Sequence, residues 1–295
     1  MIPTTPGTMT DEQIVYLNGA FMPLGEARLP VLDRGFIFGD GIYEVAPVYG
    51  RVPFRWAQHH ARLVRNLGRI RLADPMDAAG WRGLVDALIA RHPWDDQFVY
   101  IQVTRGVAKR DHAFPKQPVP PTVFAMSSPL APIPAEHLAR GVDAITLPDE
   151  RWLHCDIKST SLLGNVLAKQ AAVDAGAFEC VMFRDDLLTE GSSCNIWVVR
   201  EGRVLAPPRD RLILEGIRYG LLQELCQAEG VPLEIRPIPR AEVESADELM
   251  LTSATKEVLP ITRLDGRPVG TGAPGPVFAR LHAAYQRAKA ASAAA

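Results

Sequence analysis

The chain has 295 residues with 32 basic and 34 acidic side chains, a net charge of −2, so it has no positive excess for binding nucleic acid or an anionic membrane. Its hydrophobic content of 47% is ordinary for a protein with a buried core, and no apolar run reaches the ~18 residues that span a bilayer. At about 150 residues per domain, this length predicts two domains.

The N-terminus and the cysteines indicate a cytoplasmic protein. Residues 1–7 contain neither a basic segment nor an apolar one, so no export signal is expected. The four cysteines, at positions 155, 180, 194 and 226, are widely spaced and form no C-x-x-C pair. We therefore expect free thiols in a reducing compartment, and no metal site.

The first half of the chain predicts an α+β domain over residues 1–126. Residues 14–21 predict a hairpin that turns at Asn18-Gly19, since this pair favours the tight turns of hairpins. Alternation and helical spacing predict further strands at 42–49, 98–104 and 122–126, and helices at 56–70 and 81–90. Residues 127–134 contain three prolines and predict an interdomain linker.

The second half predicts a larger, β-rich domain over residues 135–295. Its strands are predicted at 142–147, 179–183, 196–199 and 248–252, and its helices at 162–175, 217–229 and 276–288. The helix at 162–175 carries an apolar face that includes Leu163, Val166 and Leu167. The chain is therefore expected to be a two-domain α/β protein of the α+β kind.

Lys158 is the first candidate for chemistry. Lysine is scarce in this chain, and only lysine, not arginine, can form an imine with a carbonyl group. Lys158 stands between an apolar strand end and the start of a helix. Taken alone, however, a lone lysine is more often a solvated loop residue.

Other candidates are equally open when each is taken alone. Arg110 and His112 form an R-x-H step that suits a carboxylate trap, but such charges also occur by chance in solvated loops. Glu190 leads a Gly-Ser-Ser turn that offers hydroxyls and backbone N–H groups. Gly216 precedes a helix whose first turn could bind phosphate, although no Walker A or Rossmann motif is present. Arg62 alone reads as a helix-surface arginine.

Several segments, taken in order, resemble one family. They are DRGFIFGDGIYEV (33–45), YIQVTRGVAKRDHAFP (100–115), RWLHCDIKS (151–159) with LLGNVLAKQAA (162–172), LTEGSSCNIW (188–197) and LMLTSATKEVLPI (249–261). Between residues 14 and 260 the chain resembles the fold-type IV pyridoxal-phosphate enzymes, and most closely the D-amino-acid aminotransferases. The resemblance implies an enzyme with its cofactor, pyridoxal 5′-phosphate, in the cleft between two domains.

The resemblance implies roles for the cofactor-binding residues. Lys158 is expected to carry the cofactor as an imine and to move the substrate proton, Glu190 to pair with the pyridine nitrogen, and Arg62 to bind the phosphate. Further cofactor contacts are implied at Ser193, Leu214, Gly216, Ile217, Arg218, Ser253, Ala254 and Thr255. Arg218 and Ala254 depart from the family, which often has hydroxyl residues there, so Arg218 either replaces a phosphate donor with its charge or points elsewhere.

The resemblance also implies the substrates. Tyr43, Arg110 and His112 are expected to bind the substrate α-carboxylate, and Val45 and Tyr100 to line the same pocket. The R-x-H loop comes from the partner subunit in D-specific relatives, which implies a homodimer. The expected reaction passes the amino group of a D-amino acid such as D-alanine to 2-oxoglutarate or pyruvate.

Three alternatives stay open at this point. Branched-chain L-aminotransferases and aminodeoxychorismate lyases share the lysine and the glutamate but generally lack this R-x-H step. The branched-chain enzymes usually have tyrosine five residues after the lysine, where this chain has Leu163. A cofactor-free binding protein of the same fold is disfavoured by the intact Lys158 and Glu190.

Overall fold

The computed structural model describes residues 10–293. Residues 1–7, for which we expect no export signal, lie outside the described residues. The chain forms two compact units. The first unit comprises residues 10–131 together with Ile157–Ser161, and the second comprises Pro132–Asp156 and residues 162–293. Among these residues, no helix combines the length and the apolar character that a membrane crossing needs.

The first unit is one antiparallel sheet with helices on one face. Its elements are β1 (Ile14–Leu17), β2 (Ala20–Pro23), α1 (Arg34–Phe38), β3 (Gly41–Tyr49), β4 (Val52–Pro53), α2 (Trp56–Arg69), α3 (Ala78–Ala90), β5 (Gln97–Thr104) and β6 (Thr122–Pro129). The six strands lie in the order β2-β1-β6-β5-β3-β4. Leu63, Leu67 and Trp81 of α2 and α3 pack on the inner face of the sheet, where burial of apolar surface stabilises the unit.

Local sequence explains both a predicted and an unpredicted element here. The hairpin turn is confirmed, because Asn18 and Gly19 adopt φ angles of 48° and 98°, which suit this residue pair. Helix α1 was not predicted. Its first turn is capped by the buried side chain of Asp33, which accepts from the Gly35 N–H at 2.8 Å, and Gly39 ends it with φ of 65°.

Strand β6 is longer than the sequence predicts. Ser127 and Ser128 continue the ladder opposite Val99 and Phe98. The buried hydroxyl of Ser127 donates to the side chain of Gln97 at 2.5 Å, which satisfies both buried polar groups. Residues 127–129 are therefore strand, although the predicted linker began at residue 127.

The second unit is a mixed sheet with helices around it. Its elements are α4 (Ala135–Arg140), β7 (Val142–Pro148), α5 (Leu163–Asp174), β8 (Glu179–Arg184), β9 (Leu187–Leu188), β10 (Asn195–Arg200), β11 (Arg203–Ala206), α6 (Ile217–Ala228), β12 (Leu233–Ile235), α7 (Arg240–Glu244), β13 (Glu248–Ser253), β14 (Glu257–Leu264), β15 (Arg267–Pro268) and α8 (Pro276–Ala293). The strand order is β12-β11-β10-β13-β14-β7-β8-β9, and β15 pairs with β14. The predicted α/β class is confirmed.

Helix α5 turns its apolar face outward. Leu163, Val166 and Leu167 are 71%, 58% and 61% exposed, whereas Ala172 of the same helix is fully buried against β8. The predicted apolar face is therefore present but is not covered by the residues described in this chain. Exposed apolar patches of this kind are typical of protein–protein interfaces.

Candidate active site

Lys158 is held by the backbone of β3. The Tyr43 N–H donates to the Lys158 carbonyl at 2.9 Å, and the Thr160 N–H donates to the Gly41 carbonyl at 3.0 Å. These bonds explain why Ile157–Ser161 belongs to the first unit. The half-buried Lys158 places its Nζ 4.1 Å from the centre of the Tyr43 ring. The amine thus lies over an aromatic face, on a backbone that β3 holds in place.

Of the predicted substrate residues on β3 and β5, Tyr43 contacts this amine and Tyr100 packs on Tyr43. Tyr43 and Tyr100 stack with ring centres 5.7 Å apart, and Val45 lies opposite Tyr100 in the ladder. The Tyr100 hydroxyl donates to the side chain of Gln102 at 2.7 Å. Burial, with a smaller contribution from Tyr43, raises the pKa of Tyr100 to about 12, so its hydroxyl keeps its proton. Gln102 was not predicted, although its alternation with Tyr100 along β5 places both on one face.

Arg62 is a buried residue, not the helix-surface arginine that its sequence context alone suggested. It is only 3% exposed, and its Nε and Nη2 donate to the two carboxylate oxygens of Glu44 at 3.0 and 2.5 Å. His59 lies 2.9 Å from the same carboxylate. Burial alone would raise the pKa of Glu44, but Arg62 and His59 outweigh it and hold that pKa well below its usual range. The guanidinium is therefore rigidly aimed by a charged partner.

Glu190 is the second buried carboxylate, and it belongs to the second unit. It is 4% exposed and accepts from the Leu214 N–H at 3.1 Å, from the Asn195 side-chain amide at 3.2 Å and from the Arg151 guanidinium. Arg151 also binds Asp149 at 2.8 Å. Burial raises the pKa of Glu190 to about 7, and Arg151 opposes that rise. A carboxylate this desolvated gains from a further cation, such as a protonated pyridine nitrogen.

The raised pKa makes a testable prediction about the protein without cofactor. A carboxyl group whose pKa is raised by folding favours the folded state below its usual pKa of 4.5, and this contribution is lost as the pH rises through about 7. Between about pH 5 and 8 the wild-type melting temperature should therefore fall relative to that of Glu190→Gln, whose side chain does not titrate. Thermal unfolding of both proteins across this range measures the difference. A difference in melting temperature between the two proteins that does not change with pH would contradict the raised pKa of Glu190.

The start of α6 gathers the predicted phosphate residues of the second unit. Gly216 precedes the helix, and its N–H donates to the Asn195 side chain at 3.3 Å. A Cβ at Gly216 would lie 2.5 Å from that Asn195 oxygen, so a larger residue there would displace the Asn195 amide. Ile217 begins the helix, and Leu214 donates to Glu190.

The Ser253–Thr255 turn, between β13 and β14, lies beside this helix start. Arg218 is buried, and its Nη2 lies 3.4 Å from the Ala254 carbonyl oxygen. The side chain is thus directed at the backbone of this turn. Ser253 and Thr255 are half-buried in the same turn, and the Ser253 hydroxyl accepts from the Lys256 N–H at 3.1 Å.

Lys256 is a cation that sequence reasoning missed. Its Nζ donates to Glu179 at 2.8 Å and to the exposed Ser193 hydroxyl at 3.3 Å. The Ser192 N–H donates to the same buried glutamate at 3.1 Å. The predicted cofactor residue Ser193 is therefore joined to the Ser253 turn through one lysine. Its signal in the sequence was only the scarcity of lysine.

Arg110 and His112 lie elsewhere in the first unit. Both are exposed, and both lie against Phe38, whose ring centre is 5.5 Å from the Arg110 guanidinium and 5.4 Å from the His112 ring. Over residues 10–293, the ring contacts of Tyr43 are with Tyr100 and Lys158 instead. The structure therefore does not bring the three predicted carboxylate ligands together within one chain.

These groups fit the cofactor that the sequence resemblance implies. A fixed primary amine suits an aldehyde carbon, a buried carboxylate with a paired arginine suits a pyridinium nitrogen, and a buried guanidinium suits a phosphate. Each group is held by partners within its own unit, as Lys158 is by β3 and Arg62 by Glu44.

Comparison with known proteins identifies the family to which the chain is similar. The model of the family amino-transferase class IV matches residues 41–264. The D-alanine aminotransferase of Bacillus licheniformis is 38% identical over 272 residues, which cover 92% of this chain and 95% of that protein. The D-alanine aminotransferase of Staphylococcus aureus strain COL is 36% identical over 273 residues, which cover 92% of this chain and 96% of its own.

Solved structures agree over nearly the same length. A branched-chain amino acid aminotransferase solved with pyridoxamine 5′-phosphate has a TM-score of 0.85 at 26% identity and covers 94% of this chain and 93% of its own. The branched-chain aminotransferase of Thermoproteus uzoniensis, solved with norvaline, has a TM-score of 0.84 at 25% identity. The match covers 93% of this chain and 94% of that protein. The chain therefore belongs to the amino-transferase class IV family.

Proposed function

We propose that this protein is a pyridoxal-phosphate-dependent aminotransferase that moves an amino group between D-amino acids, such as D-alanine, and 2-oxo acids, such as 2-oxoglutarate or pyruvate. The observation that carries the proposal is the fixed Lys158 amine, 4.1 Å from the Tyr43 ring centre, in a chain 38% identical to a D-alanine aminotransferase. The cofactor supplies an electron sink that lets a substrate Cα–H bond break.

Lys158 provides the attachment point and the base. Its Nζ takes the proton from the Cα of the amino donor, and it later gives a proton to the Cα of the amino acid formed. Taking the first proton requires an uncharged amine. The backbone bonds between β3 and residues 158–160 hold the main chain that carries this side chain. The neighbouring aromatic face of Tyr43 limits access of water to the amine.

The other cofactor roles fall to the buried charges. Glu190 holds the pyridine nitrogen in its protonated form, and Arg151 and Asn195 keep the carboxylate in place. Arg62 binds the phosphate while Glu44 fixes its guanidinium. Further phosphate donors come from Ser253 and from the start of α6, and the side chain of Arg218 adds positive charge beside the Ser253–Thr255 turn.

The substrate carboxylate is bound by Tyr43 and by the Arg110-x-His112 loop of a partner subunit. Arg110 and His112 contact Phe38 of their own chain, whereas the Tyr43 ring contacts Tyr100 and Lys158. A trap that combines Tyr43 with this loop therefore needs the loop of a second copy, which supports a homodimer. Exposed apolar side chains in each unit, such as Phe36 at 74% and Leu163 at 71%, provide surface for that contact. The four cysteines are free, which supports a reducing, cytoplasmic setting.

A branched-chain L-aminotransferase is the second candidate, because the solved structures described above are enzymes of that kind. Their identity to this chain is 26% and 25%, against 38% for the D-alanine enzyme. The Arg110-x-His112 step and Leu163 in place of a tyrosine also favour the D-specific reaction.

A panel of paired enantiomers tests the proposal. Purified holoenzyme is supplied with 2-oxoglutarate and, in turn, with D-alanine, L-alanine, D-leucine or L-leucine, and both the glutamate and the new 2-oxo acid are measured. We expect D-alanine to be consumed at least about a hundredfold faster than L-alanine, because a fixed carboxylate trap presents only one Cα–H to Lys158. Consumption of L-leucine with no reaction of D-alanine would favour the second candidate.

A further inference from the structure

Arg34 joins the core of the first unit to the R-x-H loop. It opens α1, is 3% exposed, and its Nε donates to Asp40 at 2.8 Å. Its Nη1 donates to the Asp111 carbonyl at 2.6 Å and to the Ala113 carbonyl at 3.3 Å. These two carbonyls flank His112 on either side. One buried guanidinium therefore fixes the backbone that carries the exposed imidazole.

The Arg34 guanidinium is itself held by a carboxylate that a second arginine also binds. Asp40 also accepts from Arg105 at 2.8 and 3.0 Å, so one carboxylate holds two arginines. Burial would raise the pKa of Asp40, but Arg105 and Arg34 outweigh it and keep that pKa below its usual range. The Arg34 N–H donates to the Gly106 carbonyl at 2.9 Å, at the beginning of the loop. The core thus sets the position of the loop.

The far side of the loop is fixed in the same way. The Arg105 guanidinium lies 3.7 Å from the centre of the Phe114 ring. Phe38 of α1 lies between the charges, with its ring centre 4.8 Å from the Arg34 guanidinium and 5.5 Å from that of Arg110. The loop from residue 110 to residue 114 is therefore anchored at its backbone and at its aromatic end.

We propose that Arg34 is a positioning residue that sets the geometry of the Arg110-x-His112 carboxylate trap, and so the affinity for substrate carboxylates and the preference between enantiomers. This inference depends on the proposed function, because Arg34 acts through Arg110 and His112 and does not touch the substrate. A partner subunit receives a preformed trap rather than a flexible loop, which lowers the entropic cost of binding.

The test is Arg34→Lys in the holoenzyme. A lysine keeps the charge but cannot reach Asp40 and two carbonyls with one ammonium group. We expect KM for both D-alanine and 2-oxoglutarate to rise about tenfold or more, because small misplacements of binding groups are costly, while kcat stays within about threefold. The absorbance of bound cofactor should be unchanged. Amide hydrogen exchange in peptides spanning residues 109–114 should become faster.

Arg51→Lys is the matched control. Arg51 also donates to backbone carbonyls of the first unit, at Ile89, His92 and Trp94, but not to the loop. It should keep wild-type KM values and wild-type exchange at residues 109–114. If Arg34→Lys does not yield folded holoenzyme, Asp40→Asn replaces it, since it releases the same guanidinium; the same changes are expected.

The outcomes separate the two claims. Unchanged KM and unchanged exchange in Arg34→Lys, or equal changes in Arg51→Lys, would overturn the positioning role. A wild-type enzyme that does not use D-alanine would overturn the proposed function, and the exchange measurement alone would then decide whether Arg34 holds the loop.

Discussion

Lys158→Ala is expected to abolish amino transfer, lowering kcat/KM for D-alanine by about 10⁴-fold or more, since both the attachment point and the proton-moving base are lost. The backbone that carries Lys158 pairs with β3 through its carbonyl, so the side chain can be removed without loss of that contact. The rate is measured by pyruvate formation with 2-oxoglutarate as acceptor. The visible absorbance of the lysine-bound cofactor should disappear together with the activity.

Lys169→Ala serves as the control for the loss of a lysine. Lys169 lies on α5 in the second unit and donates to the Phe178 carbonyl, and it has no role in the proposed chemistry. It should keep wild-type absorbance and turnover. Wild-type turnover by Lys158→Ala would show that a different amine carries the cofactor, and the assignment of the base would be wrong.

Arg110→Ala should have the second largest effect. Removing one partner of a charge-assisted pair with a carboxylate costs a few kcal/mol, which corresponds to a KM for D-alanine about a hundredfold higher. The preference for D- over L-alanine should shrink in parallel, because the trap defines which hand is presented to Lys158. Steady-state kinetics with both enantiomers measures the two effects together.

Two further variants distinguish a specific carboxylate contact of Arg110 from a general effect of its charge. Arg110→Lys keeps the charge but loses the bidentate fork, so its KM should fall between those of wild type and Arg110→Ala. Lys109→Ala removes a charge that is also exposed from the neighbouring position and should leave KM unchanged. An equal rise of KM in Lys109→Ala and Arg110→Ala would indicate a general charge effect rather than a carboxylate ligand.

Local rules predicted most regular elements. The Asn18-Gly19 turn and the strand that became β3 follow from residues adjacent in sequence, and the structure confirms them. The short helix α1 escaped prediction, because its five residues include a glycine and depend on the cap from Asp33. That cap is in turn held by Thr104 and Thr122, which are distant in sequence.

The partners of the candidate site residues could not be predicted from the sequence either, because they are also distant along the chain. Arg62 and Glu190 could be singled out, but the contacts that aim them come from Glu44 and Arg151, which lie 18 and 39 positions away. A charged residue at an inward position of a strand, such as Glu44, is a usable signal, since burial of a charge requires a partner.

The apolar face of α5 shows a different limit. Helical spacing correctly placed Leu163, Val166 and Leu167 on one side, but periodicity reports only that a face is apolar. It does not report whether the same chain or a second copy covers that face. Here these side chains are exposed, and the proposed homodimer accounts for a pattern that would otherwise indicate a core.

A single turnover without amino acceptor distinguishes a D-specific aminotransferase from an L-specific one. Holoenzyme is mixed with D-alanine alone, or with L-leucine alone, and the 2-oxo acid formed is measured against the enzyme concentration. We expect one equivalent of pyruvate per active site from D-alanine and no oxo acid from L-leucine in the same time. One equivalent from L-leucine, with none from D-alanine, would contradict it.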